Sequence, residues 1–164
     1  MPTVYSPPVS TYVALATTTL GSATNSVTFS SIPATYRDLI LVGQPRHGSL
    51  QAARVRFDAT STYSYVGMYG SGSGSGSSNT FTGNGILVCD MTSSDGSFVA
   101  QIQDYSATDK HKTVLSRYSL TSYVTAAIAG RWANTAAINQ VVLFTPDGSN
   151  FVAGSTFSLF GIEA

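Results

Sequence analysis

The chain has 164 residues, about the length of one domain, and carries eight basic and eight acidic side chains. Charged residues make up 10% of it, against about 25% in an average soluble protein. Nucleic-acid binding needs clustered Lys and Arg that neutralise phosphates, so this composition excludes that class of partner. The chain has no apolar run near the ~18 residues of a membrane span, and its first residues lack a signal-peptide pattern, so we expect no membrane segment.

Small polar residues take the place of charged ones in this sequence. There are 24 serines, 20 threonines and 15 glycines, and Glu163 is the sole glutamate. Long side chains that favour exposed helix faces are therefore scarce, whereas Thr, Val, Phe and Tyr, which favour strands, are common. The composition predicts an all-β protein.

The chain begins with a proline-rich segment, residues 1–11, which holds three of the six prolines. Pro7 and Pro8 cannot enter a helix or the middle of a sheet, so we predict an extended arm. Tyr5 and these two prolines are candidate contact residues. The arm either clasps a neighbouring subunit or folds back along its own domain, and the sequence leaves both alternatives open.

From Tyr12 onward, short strand patterns alternate with turn residues. Val27 and Phe29 alternate with polar neighbours, as a half-buried strand requires, and the run from Asp38 to Val42 predicts a strand covered on both faces. Turn residues such as those at 146–148 separate the later strands. The further predicted strands are 54–58, 86–89, 98–103, 112–118, 123–129, 138–144 and 156–162.

About nine or ten strands with no amphipathic helix between them predict an antiparallel β-sandwich. We expect the jelly-roll or a related Greek-key type, with residues 12–164 forming one domain. One helical turn is expected near residues 131–137, where alanines cluster.

Residues 70–78 form a Gly/Ser run of low complexity. Such a run has high backbone entropy and few side chains to bury, so we predict a surface loop. It contains neither of the glycine patterns that cradle phosphates.

Aromatic residues flank the Gly/Ser run. Tyr63 and Tyr65 share a face if their segment is extended, and Tyr69 follows them. Such side chains stack on sugar rings, anchor interfaces or fill cores, and Trp132 carries the same alternatives.

Arginine is the main cation of this sequence, and its planar guanidinium suits paired hydrogen bonds with carboxylates at interfaces. Pairing with Asp38, Asp58 or Asp104 inside one subunit is the alternative. The candidates are Arg37, Arg54, Arg56, Arg117 and Arg131.

Residues with catalytic or metal-binding chemistry are few. His47, His111 and a single cysteine do not supply the ligands of a catalytic zinc site, and no aspartate spacing matches a calcium loop. Asp109 lies two residues before His111, but a polar stretch of this kind is typical of an exposed strand end. Cys89 lies in a predicted buried strand, where a free cysteine acts as a small hydrophobe. We expect no enzyme activity, no metal and no cofactor.

Several segments resemble virion structural proteins of tailed bacteriophages, especially those that infect cyanobacteria and other aquatic bacteria. One is SVTFSSIPATYRDLILV within residues 14–42, and another is VRFDATSTYSYVGMYGSGS at 55–73. The others are YSATDKHKTVLSR at 105–117, RWANTAAINQVVLF at 131–144 and GSTFSLFGIEA at 154–164. The resemblance covers most of the chain and implies a structural protein of the virion.

Two functions follow from this resemblance as expectations. The first is a capsid decoration or cement protein on the capsid exterior, a homo-oligomer such as a trimer, with the major capsid protein as partner. The second is a tail fibre or tail-tip adhesion module, with tail proteins as partners, that binds host glycans through Tyr63, Tyr65, Tyr69 and Trp132. A hydrolase on the same fold is disfavoured by the lack of catalytic pairs.

Overall fold

A computed structural model describes residues 11–57, 62–93, 96–121 and 124–163, and for residues 78–82 it describes the backbone only. Tyr5, Pro7, Pro8 and the predicted arm before residue 11 lie outside the described residues. No helix in the described ranges is long and apolar enough to cross a membrane.

The described residues form twelve β-strands. The first six are β1 (Tyr12–Thr19), β2 (Ser26–Phe29), β3 (Asp38–Gln44), β4 (Gln51–Phe57), β5 (Tyr63–Ser71) and β6 (Gly74–Gly83). The last six are β7 (Ile86–Met91), β8 (Gly96–Gln103), β9 (Lys112–Leu120), β10 (Val124–Trp132), β11 (Val141–Phe144) and β12 (Thr156–Ile162).

The strands form two antiparallel sheets packed as a sandwich, which confirms the predicted all-β sandwich. The large sheet has eight strands in the order β1-β12-β3-β8-β9-β10-β5-β6. The small sheet has four strands in the order β2-β11-β4-β7.

The strand order resembles that of a jelly roll once four strands of the large sheet are set apart. Without β5, β6, β9 and β10, two four-stranded sheets remain, β1-β12-β3-β8 and β2-β11-β4-β7. Each step along the chain between these eight strands then crosses from one sheet to the other, except the step from β4 to β7, which are paired neighbours in the small sheet. We interpret the pairs β5–β6 and β9–β10 as additions that widen one sheet beyond its partner.

The core lies between the sheets and is built from every second residue of the strands. In β9 and β10 the buried and exposed residues alternate along the whole strand. Val114 and Ile128 point inward from the large sheet, where they join Ile86 and Val88 of the small sheet. This two-residue period is what an antiparallel strand with one covered face requires.

The prediction of a loop at residues 70–78 is wrong. Most of the run belongs to the hairpin of β5 and β6, with Gly72 and Ser73 as its two-residue turn. Pairing of β5 with β10 on its other side fixes the register, so the strand ladder supplies the hydrogen bonds that composition alone does not predict. Glycine at 76 leaves room for the ring of Tyr69, since a Cβ there would lie 2.8 Å from the Tyr69 hydroxyl.

Two smaller predictions are also wrong. Residues 131 and 132 belong to β10, and residues 133–140 form neither helix nor strand, so there is no helical turn at 131–137. The strand predicted at 138–144 covers only Val141–Phe144. The turn at 146–148 is confirmed: Gly148 has φ of 78°, and the Asp147 carboxylate accepts a hydrogen bond from the Ser149 amide at 3.0 Å.

Candidate functional site

The outer face of the large sheet, which points away from the small sheet, carries a band of apolar side chains. Strand register places its members in two adjacent rows across β3, β8, β9, β10 and β5. The first row is Ile40, Gln101, Leu115, Ala129 and Val66. The second row is Val42, Val99, Arg117, Ala127 and Met68. We call these ten residues the outer-face band.

Seven of the ten residues of the outer-face band are exposed, whereas Val99 and Gln101 are half-buried and Ile40 is buried. Met68 is 66% exposed, Val66 44%, Leu115 43% and Val42 38%. All members of the band except Val42 line a groove of about 550 Å³, together with Tyr12, which is 55% exposed. Single exposed apolar residues are ordinary, but a contiguous group of them is typical of a binding surface.

Polar residues border this band on both sides. One flanking row holds Ser97, Ser119 and Thr125, and the other includes Thr113 and Arg131. An apolar centre with a polar rim is the arrangement found in protein interfaces.

The two polar members of the band differ in their surroundings. The Gln101 amide donates a hydrogen bond to the Asp38 carboxylate at 3.0 Å. The same carboxylate accepts from the Asp104 amide at 3.0 Å and from the Arg37 guanidinium at 3.2 Å, so its charge is satisfied locally. Arg117 is the one charged side chain among the described residues that line the groove. The groove therefore offers apolar walls and one cationic donor.

A second cleft, of about 490 Å³, opens between the sheets where the small sheet ends and the added strands continue. Tyr69, Asp90, Tyr118 and Gln51 supply its polar groups. The Tyr118 hydroxyl donates a hydrogen bond of 2.6 Å to the Asp90 carboxylate. Burial raises the pKa of the Asp90 carboxyl, and this hydrogen bond offsets part of the rise.

The predicted aromatic platform does not exist as a unit. Trp132 and Tyr63 are buried, and their rings stack with centroids 6.5 Å apart. The Phe57 ring meets Trp132 edge-on at 5.3 Å, and the Phe57 amide donates to the Tyr63 hydroxyl at 2.9 Å. Tyr65 faces the core with 8% of its surface exposed, so Tyr69, at 46%, is the one exposed residue of this predicted set.

Some of the predicted arginines form pairs inside the subunit, and others lie on the surface. Arg37 pairs with Asp38, as one alternative predicted. Arg54 is half-buried and donates to the Asn84 side chain at 3.3 Å. Two further arginines face outward: the guanidinium of Arg56 lies 4.7 Å from the centre of the Phe144 ring, and Arg131 lies in a flanking row of the outer face. Asp58 lies outside the described residues, and Asp104 pairs with Lys110 at 3.4 Å.

Titratable groups form no metal cluster in the described ranges, where no three His, Cys, Asp or Glu side chains come together. His111 is exposed, and the ring of His47 contacts the backbone of Ser49. Cys89 is buried, as predicted, and burial raises the pKa of its thiol.

The structure corrects the expectation that Lys112 belongs to an exposed polar strand end. Its side chain is fully buried, and its ammonium donates to the carbonyls of Lys110 at 2.9 Å and Thr135 at 3.2 Å. Burial lowers the pKa of this ammonium. The carbonyls satisfy the charge that the sequence pattern assigned to solvent.

Sequence reasoning missed the outer-face band apart from Arg117, which it named only as a cation. The available signal was the uninterrupted run Leu39–Val42, interpreted as a strand covered on both faces. The inward residues Leu39 and Leu41 are fully buried, as expected. On the other face Ile40 is covered, whereas Val42 is 38% exposed, so cover on both faces is wrong at Val42. An apolar residue left open in such a run indicates a contact surface.

No protein-family model, curated protein or solved structure matches this chain.

Proposed function

We propose that this protein is a non-enzymatic structural protein of a phage virion that forms a homo-oligomer, such as a trimer, on the capsid exterior. The outer-face band carries this proposal. It covers roughly 24 Å by 14 Å, since strands lie about 4.8 Å apart and successive outward residues nearly 7 Å apart. That area, ~300 Å², lies at the lower end of the range for the largest apolar patch on a monomer, and such patches are often functional.

The composition supports a role in which many copies lie close together. Eight basic and eight acidic side chains leave no formal net charge, so neighbouring copies on a shell do not repel each other strongly. The segments that resemble tailed-phage virion proteins support the same assignment. We also propose that the sandwich is a jelly roll, an architecture that is common in capsid domains.

As a cement protein, the chain stabilises the shell by mass action. A protein that binds the assembled capsid better than free capsid subunits shifts the equilibrium toward the assembled particle. Residues 1–11 clasp a neighbouring subunit and add to the contact. Deletion of this segment is expected to lower occupancy on particles, and undiminished occupancy would contradict the role of the arm.

A second candidate is a tail adhesion module, which the inter-sheet cleft favours. The cleft brings the ring of Tyr69 near the Asp90 carboxyl and the Gln51 amide, and an aromatic face with hydrogen-bonding groups suits a sugar ring. Saturable binding to host envelope polysaccharide, lost in Tyr69→Ala and retained in the outer-face variant Thr125→Ala, would support it. No binding in a glycan screen would count against it.

Cryo-electron microscopy of particles that contain this protein separates the two candidates. Density repeated at the local symmetry axes of the capsid is expected for a cement protein. Density confined to the tail would contradict the first proposal and favour the adhesion module.

A further inference from the structure

We propose that Asn84 and Gly85 form a site of spontaneous deamidation in the folded protein, at which the Arg54 guanidinium promotes the reaction and pairs with the aspartate that it produces. This modification lies outside the proposed function and does not depend on it. Three observations carry the proposal: the place of Asn84 and Gly85 in the chain, the packing around Gly85 and the hydrogen bond from Arg54.

Asn84 and Gly85 are the whole connection between β6 and β7. Asn84 is exposed, and neither residue belongs to a strand. Asparagine is a chemically labile residue, because the backbone nitrogen of the next residue can attack the carbon of its side-chain amide. A following glycine hinders this attack least, since it has no Cβ. The chain has six asparagines, and Asn84 alone precedes a glycine.

Packing explains why glycine stands at position 85. A Cβ there would lie 2.8 Å from the Val55 carbonyl oxygen and 2.9 Å from a ring atom of Phe144, both too short for a carbon contact. A larger residue would therefore have to displace β4 or the Phe144 ring, which both belong to the small sheet. The fold thus requires the glycine that makes its neighbour Asn84 labile.

Arg54 holds the side-chain amide of Asn84. Its Nη1 atom donates a hydrogen bond to the Asn84 Oδ1 atom at 3.3 Å. Arginine has donors only, so its partner is the amide oxygen and not the amide nitrogen. Negative charge develops on that oxygen when a nucleophile adds to the amide carbon, and a donor already in place stabilises this charge. Arg54 is therefore positioned to promote the attack on Asn84.

The reaction needs only the chain and water. The Gly85 amide loses its proton to solvent, and its nitrogen forms a bond to the Asn84 Cγ atom. The bond from Cγ to Nδ2 breaks, and Nδ2 takes up a proton from water and leaves as ammonia. Water then opens the succinimide ring. Opening at Cγ gives aspartate, and opening at the backbone carbonyl gives isoaspartate, in which the chain continues through the side chain.

The two products change the molecule in different ways. Aspartate places a carboxylate beside Arg54, so a hydrogen bond to a neutral amide becomes one between two charged groups, which is stronger. Isoaspartate inserts a CH₂ group into the two-residue connection from β6 of the large sheet to β7 of the small sheet. Either product adds one acidic group to a chain with eight basic and eight acidic side chains, so the copy becomes negatively charged.

Incubation of the full-length protein at pH 8, followed by peptide mapping with mass spectrometry, tests this proposal. The peptide that contains Asn84 is expected to gain the mass that separates an acid from an amide, while the peptides that contain Asn139 and Asn150 stay unchanged. Arg54→Gln is expected to slow the conversion of Asn84 about tenfold or more. Arg117→Gln removes the same charge from the large sheet and is expected to leave the rate unchanged.

The variant Asn84→Asp supplies one product directly and tests its pairing with Arg54. At low salt its melting temperature is expected to rise by about 1–3 °C, as for an exposed ion pair. The rise is expected to vanish at high salt and in a chain that also carries Arg54→Gln. A rise that persists in the Arg54→Gln chain, or no rise at low salt, would overturn the pairing.

An Asn84 that stays intact in the native protein but converts in urea would overturn the site. Equal rates in the unsubstituted protein and in Arg54→Gln would overturn the role of Arg54. If circular dichroism shows that Arg54→Gln does not fold, the unsubstituted protein decides. Folding brings Arg54 to Asn84 across 30 residues of chain, so the native rate is expected at least to equal the rate in urea, and a lower native rate would overturn the proposal.

Discussion

The hydrogen bond between Ser116 and Val88 links the two sheets, and its removal tests how they are held together. Val88 is the extra residue where the register of β4 and β7 shifts, so its carbonyl is left out of the strand ladder. The Ser116 hydroxyl, from β9 of the opposite sheet, donates to this carbonyl at 2.7 Å. Both residues are at most 1% exposed, so water does not replace the bond.

Ser116→Ala is expected to lower the free energy of unfolding by about 1–2 kcal/mol. A net hydrogen bond is worth ~1 kcal/mol, and the loss is larger when a buried acceptor is left without a partner. For a chain of this size the melting temperature falls by about 3 °C for each kcal/mol. Urea unfolding followed by circular dichroism measures the change, with the m-value expected to stay constant.

The matched control is Ser119→Ala, on the same strand but facing solvent. Its expected effect is within about 0.5 kcal/mol of zero, as for most surface substitutions. Equal unfolding free energies for Ser116→Ala and Ser119→Ala would refute the role given to the inter-sheet bond.

Three further predictions concern the core and the inter-sheet cleft. Gly130→Ala is expected to lower the free energy of unfolding by about 1–3 kcal/mol, measured by calorimetry. A Cβ at position 130 would crowd the buried Ile86 side chain, two of whose atoms would lie 3.0 and 3.1 Å away. An unchanged melting temperature would contradict this contact. Asp90→Asn is expected to stabilise the protein at pH 7. Because its pKa is raised, the Asp90 carboxyl holds its proton more tightly in the folded state than in the unfolded state. The free energy of unfolding therefore falls as the pH rises from about 4 through the raised pKa. Urea titrations at a series of pH values should show this fall for the unsubstituted protein and not for Asp90→Asn. The Cys89 thiol is buried and its pKa is raised, so it is expected to react with a disulfide reagent at pH 8 only after unfolding; fast labelling of the native protein would contradict its burial.

Periodicity predicted the sandwich because one face of most strands meets the core. In β9 and β10, buried and exposed residues alternate without exception among the residues whose burial is described. The Gly/Ser run was predicted as a loop from its local composition. Its strand β6 is stabilised by pairing with β5, and local composition does not show such pairing. The expectation that Lys112 lies at an exposed strand end was wrong because the ammonium binds two backbone carbonyls that only the folded chain brings together.

Apart from the signal in the run Leu39–Val42, the outer-face band could not be predicted, and for a different reason. Its members lie on five strands, and each strand contributes only two of them. Leu115, for example, stands in β9 between exposed polar residues and looks like an isolated exception. Only the strand order and register show that Leu115 has Gln101 on one side and Ala129 on the other, in a row that ends at Val66.

The account depends most on the outer-face band as a contact surface between copies. Sedimentation velocity of the full-length protein and of Leu115→Asp, with Ser119→Asp in the adjacent polar row as control, tests this most directly. We predict an oligomer for the unsubstituted protein and for Ser119→Asp, and a shift to monomer for Leu115→Asp with an unchanged circular dichroism spectrum. A monomeric unsubstituted protein, or a Leu115→Asp variant that sediments like the unsubstituted oligomer, would contradict the account.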